Sequence, residues 1–434
     1  MANTTTFALF FGNRGFFPES LIAAARRELP ARLAECGFGT LMMPEGETRY
    51  GAVETPDEGR KYAAFLAQKK GEYQGVVLCL PNFGDETGAV EALRDCGVPI
   101  YILAYPDELE KMDFASRRDS FCGKFSVMDV FLQYGIPFTA WEPHTLHPAD
   151  AAFAEHMRSF AAVCRTVAGM RRCTVGAIGA RTSAFKTVRC DELTLQKYGI
   201  TTEVFDLSEI IMRVEKLGSD SPACKEKAAR LRSYSDFSAV PADNFNTLTK
   251  LSVVLDEVIA EARLDALALR CWIELEKALK IAPCVLLGEL NNRGFPAACE
   301  LDVGNALAMH ALRLATGKPA ACLDWNNNYG SDPDKCILFH CGPVAESLMS
   351  GQGKVIDHPM FAKALGAGCG FGCDVGRIAP APFTFASSAT KDGELHFYAG
   401  EGEFTSDPIP PEFFGCAGVA RIAGLQTKLN KMGY

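Results

Sequence analysis

Short apolar runs separated by helix-like stretches constrain this chain more than any other feature. Phe7–Phe11, Gly75–Leu80, Pro99–Ala104, Thr174–Gly179 and Thr202–Phe205 read as buried strands, because a brief run of apolar residues fills both faces of a covered sheet. Their recurrence between helical periodicities implies parallel sheets, since a parallel neighbour is reached through a crossover helix. The pattern restarts at Cys173 after the helical stretch Pro148–Met170, which places one α/β domain at 1–168 and a second at 169–316. Past Lys318 the chain becomes dense in Gly, Pro, Asn and aromatic residues, and Arg377–Ser388 and Glu394–Phe404 read as extended pieces joined by the turn Lys391-Asp392-Gly393. The expected fold class is therefore α/β, with two Rossmann-like α/β domains followed by a small antiparallel β-rich C-terminal domain at 317–434.

Composition narrows the class of function. With 434 residues, 48% hydrophobic and 22% charged, the chain can bury large cores. No basic n-region precedes Phe10, and no apolar run approaches the roughly 18 residues needed to span a bilayer. A soluble, cytoplasmic protein without a membrane partner is expected. The 17 cysteines are scattered instead of forming a compact framework, so they read as reduced thiols. A net charge of −9, with basic residues mixed among acids, excludes nucleic acid as a partner. The glycines match no G-x-G-x-x-G or phosphate-loop pattern, so nothing favours a nucleotide cofactor.

The most informative stretch is Gly294-Phe295-Pro296-Ala297-Ala298-Cys299-Glu300-Leu301-Asp302-Val303, followed by a helical run to Leu314. A loop ending in Glu before a helix sets a carboxylate beside unpaired backbone N–H groups. Asp324 ends the apolar Ala320–Leu323 and opens the polar cluster Trp325-Asn326-Asn327-Asn328, and Cys336–Phe339 delivers His340 at its tip. Two carboxylates and one imidazole on successive loops form an oxygen-rich donor set that suits Mn²⁺ or another divalent ion. Cys369 and Cys373 lack a second cysteine pair at zinc-site spacing. His144 and His147 fall in a Pro-flanked connection and read as loop residues.

Glu300 in Cys-Glu-x-Asp-Val-x-x-Ala-Leu, Asp324 in Asp-Trp-Asn-Asn and His340 in Phe-His-Cys-Gly resemble the metal-ligand regions of the L-fucose/L-arabinose isomerase superfamily. Arg270-Cys271-Trp272, Pro283-Cys284 and the segment from Gly179 through Arg181 to Glu192 resemble its second domain. Asn13-Arg14-Gly15 and Arg118–Lys124 resemble first-domain segments that approach a neighbouring subunit's site. The resemblance thus runs through nearly the whole chain.

What it implies is a metal-dependent aldose–ketose isomerase acting on a monosaccharide such as L-fucose, D-arabinose or sulfoquinovose through an enediol, as a homotrimer or homohexamer. Glu300 would take the proton from carbon with Asp324 as its acid/base partner, and Glu300, Asp324 and His340 would hold the ion. A hydride shift is the rival route. Arg14, Lys124, Arg181, Trp325 and Asn326 would contact substrate; Lys186, Arg189 and Arg293 are weaker candidates, each otherwise a solvated charge. The family typically continues into a strand whose His-His pair supplies a further metal ligand; this sequence ends at Lys431-Met432-Gly433-Tyr434, so either that segment lies beyond it or another His stands in, with His396 the nearby candidate. Two other readings remain at this point, a non-catalytic sugar sensor closing two α/β domains on its ligand and a hydrolase activating water on the ion.

Overall fold

The computed structural model describes residues 5–432; Gly433 and Tyr434, the last residues of the segment just mentioned, lie outside them. The chain divides into two compact units, Met1–Ala168 and Gly169–Tyr434. In the N-terminal unit four parallel strands lie in the order Gly39–Met42, Thr6–Phe11, Gly75–Leu80, Ile100–Ala104. Side chains alternate across that sheet into two separate cores. Ala8, Phe10, Val76, Leu78, Ile100 and Ile102 fill one face, and Phe7, Leu9, Phe11, Val77, Tyr101 and Leu103 the other. Apolar residues at every position are thus explained by helices covering both faces. On one face Phe153, Met157, Phe160 and Cys164, spaced along the helix Ala151–Met170, pack down onto the strands. Gly75 permits this approach, since a Cβ there would stand 2.6 Å from the Cys164 sulfur.

The second unit holds two sheets. Its parallel sheet runs Ile200–Phe205, Cys173–Ile178, Ala266–Leu269, Ala297–Ala298. One face carries Ile178, Leu267 and Leu269 against Leu231, Leu248 and Leu255 from the helices Pro222–Tyr234 and Ala242–Ala262. The other carries Val175, Ala266 and Ala268 against Val303, Ala306 and Leu307 of the helix Val303–Thr316. A buried ionic cluster ties the outer helices together: Glu289 meets Arg293 at 2.8 Å, Arg293 meets Asp256 at 2.6 Å, and Lys227 meets Asp256 at 2.5 Å. Arg293 is thereby a structural residue of this unit.

The β-rich sheet has seven strands and is mixed, not purely antiparallel as expected. Lys354–Asp357, Phe371–Arg377, Cys416–Arg421, Lys335–His340 and Asp324–Asn328 follow one another, with the hairpin Ala381–Lys391/Glu394–Phe404 attached through Cys416–Arg421. Phe371–Arg377 pairs with Cys416–Arg421 in parallel, because the whole hairpin intervenes between them as a crossover. The extended piece expected at Arg377–Ser388 is two strands, interrupted at Ile378-Ala379-Pro380, where proline has no N–H for a ladder. The hairpin turn falls where expected, at Asp392 (φ 52°) and Gly393 (φ 77°), the positive φ pair that a two-residue loop needs.

One buried acid makes the second unit sensitive to pH. Glu276, in the helix Glu274–Leu279, is fully buried with neither carboxylate oxygen hydrogen-bonded, and burial pushes its carboxyl up to about 8. A folded-state value above the unfolded one gives stability that is present below about pH 4 and lost as pH rises through about 8. Glu276→Gln is therefore expected to raise Tm at pH 8 and to leave it nearly unchanged near pH 4. Thermal melts of both proteins across that range check it, and parallel curves would refute the account.

Candidate active site

The strand Ala297–Ala298 pairs in parallel with Ala266–Leu269, with Ala268 opposite Ala298. Beyond their carboxyl ends, where open α/β sheets place ligand crevices, the chain turns sharply. Glu300 (φ 61°) and Leu301 (φ 60°) both adopt the left-handed conformation, which costs a non-glycine residue roughly 1–2 kcal/mol. The two reversed residues swing the chain from strand to helix. Asp302 becomes the N-cap of Val303–Thr316, accepting from Asn305 N–H at 2.9 Å and from Asn305 Nδ2 at 2.8 Å. Taken alone, the segment's plainest reading makes Glu300 an acid serving the helix start. Asp302 does so instead, and this frees Glu300 to face a cavity.

Asp324 and His340 come from the mixed sheet. Asp324 opens the strand Asp324–Asn328 and pairs with Phe339, so His340, one residue on, ends the neighbouring strand at the same edge. Asp324 is exposed, whereas His340 is buried. Glu300, Asp302, Asp324 and His340 all line one cavity of about 990 Å³, together with Trp325, Phe385 and Tyr398. Trp325 is held there by the Tyr398 hydroxyl at 3.3 Å from its Nε1 and by an edge-to-face contact with Phe385 at 5.5 Å.

The acids feel one another. Burial raises the Glu300 carboxyl above its ordinary range; the charges of Asp324 and Asp302 add to this, and His340 opposes it. Burial likewise pushes Asp302 up to about 6, with Asp324 adding to the shift. Burial works against protonation of His340, but the Cys341 thiol and the charges of Asp324 and Glu300 outweigh it and push the ring up to about 9. His340 Nδ1 accepts the Cys341 N–H at 2.9 Å, an arrangement that belongs to the neutral ring and pulls the other way. Among the described residues lining the cavity, Lys318 is the one Lys or Arg, and it lies beyond the far end of the helix that Asp302 begins. Apart from the His340 ring, the acids are left without a nearby cation.

A resident divalent ion would answer that excess charge, and carboxylate oxygens with one imidazole are donors a hard or borderline cation accepts. The fit is one of donor chemistry and charge. Among the described residues no group of three or more His, Cys, Asp and Glu is already drawn together to hold an ion.

Residues 8–171 match the family model described as "Fucose/sulfoquinovose isomerase, N-terminal domain". The chain is 24% identical over 399 residues to the sulfoquinovose isomerases of Priestia aryabhattai and Priestia megaterium, covering 91% of this chain and 84% of each relative. A sulfoquinovose isomerase of Alkalicoccus urumqiensis is 27% identical over 206 residues, 46% of this chain and 45% of its own. The chain is thus similar to fucose/sulfoquinovose isomerases. That relationship spans both units.

Other residues singled out from the sequence sit elsewhere. Asn326 is the extra residue of a bulge in its strand, exposed and outside the cavity lining. Arg181 Nη1 donates to the carbonyls of Thr182 at 2.9 Å and Ser183 at 3.3 Å and is outside the cavity lining, although Phe185, Thr187 and Val188 further along the same loop belong to it. Arg14 and Lys124 belong to the N-terminal unit and are engaged within it. Arg14 pairs with Glu86 at 2.6 Å and lies over the Phe83 ring, and buried Lys124 donates to the His144 carbonyl at 2.9 Å, burial pulling its ammonium down to about 8. His396 is exposed on the hairpin and does not line the cavity.

Asp302, Phe385 and Tyr398 are among the lining residues that the sequence did not single out. Asp302 carried a readable signal, a capping residue before an apolar helix; the two hairpin aromatics carried none. Replacing Asp302 by Ala should cost about 0.5–2 kcal/mol of stability and Asp302→Asn much less, since Asn also caps. Denaturant titration of the two variants checks this, and equal losses would count against the cap.

Proposed function

We propose that the chain is a metal-dependent aldose–ketose isomerase acting on sulfoquinovose or a fucose-like sugar. The observation that carries the reading is the convergence of Glu300 and Asp324, from strand ends of two different sheets, on one cavity. Relatives named sulfoquinovose isomerase over nine-tenths of the chain support the reaction class and the sulfonated sugar among its substrates.

Moving a carbonyl between C1 and C2 through an enediol takes a proton from one carbon and delivers one to the other. Glu300, whose raised proton affinity follows from burial, is the group to take the proton from carbon, and a base is most effective when its proton affinity approaches the operating pH. Asp324, exposed at the cavity wall, is its partner at the sugar oxygens. The two exchange roles in the reverse direction. A divalent ion such as Mn²⁺, held by Glu300, Asp324 and His340, would supply Lewis-acid stabilisation for negative charge on the two oxygens. Trp325 and Phe385 offer apolar ring surface to the sugar's C–H groups. The cytoplasm as location and a homotrimer or homohexamer as the working assembly complete the proposal, resting on the family resemblance.

Glu300→Gln and Asp324→Asn are expected to lower kcat by about 10²–10⁴-fold while the protein stays folded. An aldose panel including sulfoquinovose, followed by ketose formation in D₂O, checks both this and the route. Deuterium entering the ketose product at C1 supports proton transfer; a hydride shift would leave none there. Full activity in either variant would refute the assignment. Chelation should abolish turnover and added Mn²⁺ restore it, and turnover indifferent to chelator would remove the ion from the proposal.

A further inference from the structure

Glu300, Asp302 and Asp324 all line the cavity, yet the proposed chemistry uses only the first and the last. Glu300 and Asp302 leave the same turn two residues apart, and what sets Asp302 apart is Asn305, in the first turn of the helix Val303–Thr316. The Asn305 backbone N–H donates to Asp302 Oδ1 at 2.9 Å and its side-chain Nδ2 donates to Asp302 Oδ2 at 2.8 Å. Both oxygens of that carboxylate are therefore engaged by one residue.

Capping the helix needs only the first of these bonds, because it is the backbone N–H that the helix end leaves without a partner. The second satisfies no backbone group and acts on the carboxylate alone. The amide is also held in the orientation that makes it. Its Oδ1 accepts the Ser387 hydroxyl at 3.4 Å, so the opposite end, the nitrogen, is the one that meets Asp302. Next along the hairpin strand, Ser388 donates to the Gly304 carbonyl at 2.8 Å and keeps the same turn of helix against the same strand. Asn305 and Ser387 are themselves part of the cavity wall.

We propose that Asn305 withholds Asp302 from the ion: with both oxygens engaged, the carboxylate stays on the helix end, and the coordination positions it would otherwise take are left to the sugar's two oxygens. A catalytic ion needs such open positions, and a third carboxylate bound to it would also add uncompensated negative charge. Asn305 is a positioning residue, acting through Asp302. The inference rests on the reading that Glu300 and Asp324 hold a divalent ion.

Asn305→Ala keeps the backbone cap and removes the amide, and Asn305→Ser serves as a second variant should the first fold poorly. Mn²⁺ binding, measured by titration calorimetry and by loss of the free-ion EPR signal, should tighten about tenfold in either, since a further carboxylate joins the donor set. KM for the sugar should rise as the open positions fill. Damage to the site would weaken Mn²⁺ binding, so the sign separates withholding from a merely structural role. In an Asp302→Asn background the same substitutions should leave Mn²⁺ affinity within about twofold. Unchanged or weaker Mn²⁺ binding or an unchanged KM in a folded Asn305 variant, or tightening that persists without the Asp302 carboxylate, would overturn the proposal while leaving the isomerase reading intact. A wild-type protein that binds no divalent ion would instead take the ion out of that reading, and this inference with it.

Discussion

The pairing of a two-residue strand, Ala297–Ala298, with Ala266–Leu269 is the contact on which the candidate site depends. Two ladder residues are a weak anchor by themselves. The anchor holds because Asn291 reaches over it, its Nδ2 donating to the Ala297 carbonyl at 3.0 Å and its Oδ1 accepting the Ala297 N–H at 2.8 Å. The same Nδ2 donates to the Pro343 carbonyl at 3.0 Å, three residues past His340. A single buried amide thus links the strand that delivers Glu300 to the loop that follows the imidazole. Its burial raises the cost of losing any of these bonds.

Around that point the second unit tolerates buried charge in two ways. Glu289, Arg293, Asp256 and Lys227 neutralise one another, so their burial is compensated by geometry. Glu276 has no cation in contact and is compensated by protonation instead, which is why its burial has a pH dependence. The cavity acids follow a third course. Glu300, Asp302 and Asp324 repel one another beside water, a state that favours whatever brings positive charge between them.

The turn that carries Glu300 and the apolar wall meet through the hairpin. Ser388 of its first strand donates to the Gly304 carbonyl at 2.8 Å, in the first turn of the helix capped by Asp302. A Cβ on Gly304 would lie 2.5 Å from the Ser388 carbonyl oxygen, so glycine is what allows the hairpin to close on the helix. That closure brings Phe385 and Tyr398 to the cavity.

Much of this was readable along the chain. The apolar runs at Phe7–Phe11, Gly75–Leu80 and Pro99–Ala104 became buried parallel strands, because an unbroken apolar run reports burial on both faces whatever its neighbours are. The hairpin turn at Asp392-Gly393 and the alternation of strand and helix were equally local signals. What residue order could not carry was the order of strands in the mixed sheet, the exchange of capping from Glu300 to Asp302, and the separation of Asn326 from Trp325 by a bulge. Nor could it show that Arg14 and Lys124 are already occupied within their own unit. Periodicity and turn chemistry are properties of adjacent residues and survive reading one residue at a time. The cavity is built from the ends of strands in different sheets, so only the packed chain decides which side chains share it.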